Sequence, residues 1–134
     1  FENMRAAYLI HRVMSGDPNV IKAYTILEMN TIKGAELYGL NKILGSLEGG
    51  KKADLVVIKP DVLPTPLNRD SVVGHLVNSI DGDDVRTVIV DGKIVMRDRD
   101  VLTVDGREAQ SKAQAAAAGL WERLKNVKPQ VDSL

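Results

Sequence analysis

The sequence contains no cysteine, which removes disulfides, thiolate metal sites and a cysteine nucleophile together. Histidine is almost as scarce, with only His11 and His75. A mononuclear zinc site typically takes three protein ligands and leaves a fourth position open, so these two cannot supply one alone. Charge of either sign is not in excess: 18 Lys and Arg balance 18 Asp and Glu. No net field draws the chain to nucleic acid or to an anionic membrane surface. Long apolar runs are missing too. None approaches the ~20 residues that span a bilayer, and the first residues lack the basic region, apolar core and cleavage site of a signal peptide. A soluble, cytoplasmic protein with neither nucleic-acid nor membrane partners is expected.

What remains is ordinary globular material, 134 residues that are 44% hydrophobic and 27% charged, enough for one domain with one core. Phe1 opens directly into an amphipathic pattern without an initiator methionine, and a fragment of a longer chain is expected.

From residue 1 to about 15, Phe1, Met4, Tyr8, Leu9, Ile10, Val13 and Met14 cover more than one helical face, predicting a helix buried on two sides. Arg5 and Arg12 fall on its remaining polar stripe, and Ser15-Gly16-Asp17-Pro18 ends it. A second helix is predicted from about Val20 through Ala23, Ile26, Leu27 and Asn30. A third runs from Thr31 to Tyr38, with Gly34 placed for close packing and Gly39 as a left-handed C-terminal stop. After Gly45 the texture turns extended: Leu55-Val56-Val57-Ile58 reads as a buried strand closed by Pro60, and Pro64 and Pro66 hold the following loop open. Val72, Val73, Leu76, Val77 and Ile80 have helical spacing.

Val85–Val90 and Lys93–Arg97 flank Asp91-Gly92. That dipeptide is the strongest short hairpin signal, because a type I′ turn needs positive φ at both central residues. Val101-Leu102-Thr103-Val104 is predicted to extend the β region, and Asp105, with Glu108 three residues on, to cap a last helix. That helix is predicted to reach about Asn126 with Pro129 beyond, carrying an apolar patch of Leu120, Trp121 and Leu124.

Chemistry is harder to find than structure. Gly45-Ser46-Leu47-Glu48-Gly49-Gly50-Lys51-Lys52 comes within one residue of a phosphate-binding loop, Gly-x-x-x-x-Gly-Lys-Ser/Thr, with Lys52 where the Mg²⁺-binding hydroxyl belongs. Such a loop runs from strand to helix so that N–H groups and the helix dipole converge on phosphate. Here helix precedes and strand follows, which predicts a structural turn and argues against nucleotide binding at Gly45 to Lys52. Ser46, Ser71, Ser79 and Ser111 show no Gly-x-Ser-x-Gly elbow. Asp81-Gly82-Asp83-Asp84 lacks the regular spacing and later glutamate of a calcium loop, and reads as a solvated turn. Glu48, Lys51 and Lys52 read as a solubilising charge group, with Asp54 bonding to nearby turn backbone. Arg97-Asp98-Arg99-Asp100 reads as a self-neutralising hairpin edge.

The segment Gly45–Val57, together with Asp84–Met96, Val101–Asp105 and the opening Phe1-Glu2-Asn3-Met4-Arg5, resembles the metal-dependent amidohydrolase superfamily in the same order, over about residues 1 to 125. Within it the chain is most similar to the branch of cytosine-deaminase-like hydrolases, S-adenosylhomocysteine and methylthioadenosine deaminases, and s-triazine chlorohydrolases. The resemblance implies an α+β fold: 1–44 as the last helices of a (β/α)₈ barrel, 45–105 as the C-terminal part of a composite β-sandwich left incomplete, and 106–134 as a closing helix and tail. It implies hydrolysis at a carbon bearing an amino or halide group, using a divalent metal, zinc or iron, in the complete enzyme. The family's ligands, a His-x-His pair, two further histidines and an aspartate, match no position here, so catalytic and metal residues in this chain are expected to be none and its substrate-binding residues are unassigned. The chain alone is expected to be inactive, and its expected partners are the missing barrel portion or another copy in a homo-oligomer. A non-catalytic assembly module that pairs through exposed strand edges is the alternative.

Overall fold

The computed structural model describes residues 1–125. The predicted extension of the last helix to Asn126 and the role of Pro129 lie outside them. Residues Phe1–Asp100 form one compact unit, and the chain from Val101 forms another.

In the first unit α1 (Glu2–Ser15), α2 (Ala23–Met29), α3 (Ile32–Leu37) and α4 (Val72–Asn78) are helical. Gly16 stops α1 in the left-handed region at φ 68°, its N–H reaching Arg12 O at 3.0 Å. The second helix starts at Ala23, three residues later than its apolar spacing predicts. Asp17 explains the delay: its Oδ1 accepts from Asn19 N at 2.8 Å and its carbonyl from Val20 N at 3.3 Å, so the backbone stays in a turn. The break between α2 and α3 has a similar origin. Asn30 Nδ2 and Thr31 Oγ1 bond back to the carbonyls of Ile26 and Leu27, at 2.9 and 2.8 Å, which leaves the Thr31 hydroxyl unable to cap α3. Gly34 serves the close approach anticipated for it, since a Cβ there would lie 3.0 Å from Met29 O. Met4, Ile26 and Val77 form the core where α1, α2 and α4 meet, with Phe1, Tyr8, Ile21 and Leu27 packed around them.

The strands β1 (Leu55–Ile58), β2 (Val85–Val90), β3 (Lys93–Arg97) and the two-residue β4 (Asp100–Val101) form a sheet in that spatial order. β1 and β2 are antiparallel with Leu55 opposite Ile89 and Val56 opposite Val88, and a register shift follows Val57. β2 and β3 are antiparallel with Val90 opposite Lys93 and Val88 opposite Met96, again with one shift. The hairpin turn is as its residues dictate, with Asp91 at φ 49° and Gly92 at φ 75°. Among the strand residues only Val85 is buried; Val56 and Val57, adjacent residues whose side chains point to opposite faces, are each about half exposed.

Several local expectations change. The first helix is not buried on two sides: it packs through the face of Met4 and Tyr8, and Leu9, Ile10, Val13 and Met14 are exposed. Leu55–Ile58 is a strand but not a buried one, since it is the outermost strand and none of its residues is fully buried. Leu102, Thr103 and Val104 are not strand, since pairing ends at Val101. Arg97–Asp100 is not a self-neutralising edge: Asp98 and Arg99 form a second two-residue turn at φ 48° and 70°, and Arg99 reaches back to Gly82 and Asp83. The acidic run is the solvated turn its residues predict, with Gly82 and Asp83 exposed directly before β2, and Gly82–Asp84 is a 3₁₀ turn closed by a reciprocal capping box between Asp81 and Asp84.

In the second unit α5 (Gly106–Leu124) begins as predicted at Asp105, whose Oδ1 accepts from Arg107 N at 2.9 Å and Glu108 N at 3.0 Å. Glu108 pairs forward with Lys112 at 2.7 Å. Leu120, Trp121 and Leu124 are exposed.

Candidate functional site: the Gly45–Lys52 junction and its groove

The chain between α3 and β1 carries a polar network that joins helix to sheet. Gly45, at φ +91°, presses against α3 so closely that a Cβ would lie 2.9 Å from Ala35 Cβ and from Ile32 Cα. Gly50, at φ +92°, faces open space, so it supplies a backbone angle and no contact. Just after Gly50, Lys51 Nζ donates to Ser46 Oγ at 2.5 Å and lies 3.1 Å from Glu48 Oε1, while the Ser46 hydroxyl donates to Glu48. Glu48 is held below the usual glutamate pKa, first by the Ser46 hydrogen bond and then by Lys51.

The other half of the junction reaches the β2–β3 turn. Lys52 N donates to Ile43 O at 2.9 Å, and Lys52 Nζ lies 3.2 Å from Asp91 Oδ1. Asp54 Oδ1 accepts from Asp91 N at 2.5 Å, and Ala53 O accepts from Gly92 N at 3.1 Å. Both lysines therefore have structural partners, where a solubilising group was expected. Asp54 serves backbone 37 residues away, where nearby turn backbone was expected.

A groove of about 540 Å³ runs between α3, this junction and β1, with Tyr38, Leu40, Leu44, Leu47, Leu55 and Val56 among its lining residues. Most of its polar side chains are engaged elsewhere: Asn30 and Thr31 with α2 carbonyls, Ser46 with Glu48 and Lys51, Lys52 and Asp54 with the hairpin turn. Small-molecule sites combine an apolar lining with a few polar groups free to orient the ligand. This groove offers mostly apolar surface, with most of its polar side chains already committed. A phosphate cradle does not fit either, because β1 follows the loop and the loop lysines are already ion-paired.

The two histidines are far from forming a centre. His11 is exposed on α1. His75 is 5% exposed, with Nε2 3.0 Å from Thr65 Oγ1, so it fastens the proline loop to α4. No three His, Asp or Glu side chains converge among the described residues to hold a metal, so the donor set present does not fit a metal centre. Sequence reasoning missed the Asp54–Asp91 and Lys52–Asp91 ties and the Arg99 clamp, in which Arg99 donates to Gly82 O, Asp83 O and Asp83 Oδ1 at 3.1, 2.8 and 2.7 Å. Their only signal in the sequence was a left-over charge beside a turn.

An α+β chain with this junction, hairpin and helix order is one matched by the Amidohydrolase family model, over residues 1–95, and the chain belongs to that family. The proteins it matches include deaminases and a triazine hydrolase. A 5-methylthioadenosine/S-adenosylhomocysteine deaminase from Desulforudis audaxviator (strain MP104C) is 44% identical over 126 residues, covering 92% of this chain and 28% of the relative. An adenosine deaminase from Xanthomonas campestris, solved with bound zinc, superposes with a TM-score of 0.77 at 27% identity, covering 92% of this chain and 27% of that one. A triazine hydrolase variant superposes with a TM-score of 0.70 at 25% identity, over 84% of this chain and 25% of its own. The chain thus spans little more than a quarter of the length of the proteins it matches.

Proposed function

We propose that this chain is the C-terminal part of a metal-dependent amidohydrolase that deaminates an adenosine-type nucleoside. Residues 1–44 then supply the last helices of a (β/α)₈ barrel, 45–105 the C-terminal part of the composite β-sandwich, and 106–134 the closing helix and tail. The observation that carries this reading is the 44% identity to a nucleoside deaminase over 92% of the chain. In the complete enzyme a divalent metal, zinc or iron, would be held by residues outside this chain and would supply water activation for the hydrolytic release of ammonia. On this reading no catalytic or metal-ligating residue is assigned to the present chain, whose donors do not converge. Its own contribution is mechanical: the core of Met4, Ile26 and Val77 sets the helices, and the Gly45–Lys52 junction ties them to the sheet.

The groove and the outer edge of β1 are read as the contact with the rest of the enzyme. β1 is outermost in the sheet order, and its four residues carry neither charge nor proline, the usual guards of an exposed edge. The same bare edge favours a second reading, strand pairing with another copy of the chain in a homo-oligomer.

A chimera tests the first reading. This chain replaces the matched segment of the Desulforudis audaxviator deaminase, and the purified, zinc-loaded chimera is assayed for ammonia release from adenosine-type nucleosides. Retained turnover is expected. A chimera that melts cooperatively yet releases no ammonia overturns the reading, and ammonia release by the 134-residue chain alone overturns its claim to lack catalytic residues.

A further inference from the structure

We draw no further inference here: the strongest candidate, the apolar groove between α3, the Gly45–Lys52 junction and the outer edge of β1, belongs to the surface already read as the contact with the rest of the enzyme, and nothing in the structure shows what else covers it.

Discussion

Gly45 and Gly50 share a positive φ near 90° and differ in their surroundings, which separates backbone cost from packing cost. Left-handed backbone costs a non-glycine residue roughly 1–2 kcal/mol, and forcing atoms into a packed site typically adds about 1–3 kcal/mol. Gly50→Ala is therefore expected to lose about 1–2 kcal/mol and Gly45→Ala about 2–5 kcal/mol, compared by urea unfolding. Equal losses would show that the Gly45–α3 contact carries no weight. Glu48 gives a second residue-scale prediction. Its pKa is lowered in the fold by Ser46 and Lys51, so its contribution is present above the unfolded-state glutamate pKa and is lost as pH falls through the folded value. Glu48→Gln should remove that part of the acid dependence, read as a flatter urea midpoint against pH on the acid limb. Because the group is solvent-exposed, the change is expected to be small.

At the scale of elements, the two β turns contrast. Asp91-Gly92 was legible because its demand is local: two positive φ angles in a two-residue loop select those residues whatever lies around them. Asp98-Arg99 adopts the same kind of turn without glycine, and what secures it is remote, the three hydrogen bonds from Arg99 to Gly82 and Asp83. Arg99→Ala keeps the unfavourable backbone and removes the clamp, with an expected loss of about 1 kcal/mol for partly exposed bonds. Arg99→Gly also removes the clamp but relieves the backbone, recovering about 1 kcal/mol. Thermal melting that places the alanine variant below both the glycine variant and the parent is the expected order. The capped start of α5 was legible for the same local reason as the first turn, since Asp105 needs only the N–H groups two and three residues on. The early end of β4 was not, because a strand requires a neighbour and Leu102 to Val104 have none to pair with.

For the whole molecule, the amount of apolar surface left in water is the main physical fact. Leu9, Ile10, Val13 and Met14 on α1, Leu47 beside the groove, and Val56 and Val57 on β1 are all exposed, and exposed apolar surface of this kind favours association. The chain by itself is expected to bind an apolar fluorescent dye and to show concentration-dependent light scattering. Val57→Lys, which places a charge on the β1 edge, should reduce the scattering while preserving the far-ultraviolet circular dichroism. A parent chain that stays monomeric and dye-free at high concentration would count against both the docking surface and the strand-pairing alternative.

The sequence by itself determined what depends on neighbours a few residues away: the Gly16 and Gly39 helix stops, the Asp91-Gly92 turn, the Asp105 cap and the apolar run of β1. It also carried the ordered matches that place the chain among amidohydrolases. Only the tertiary structure decided the employment of Lys51, Lys52, Asp54 and Arg99. A charged side chain near a turn has the same local pattern whether it faces water or a partner, and that choice is made by strand register and by the approach of α3 to Gly45. The junction that resembled a phosphate loop illustrates both halves, since its glycines announced a turn, and the fold filled it with its own hydrogen bonds.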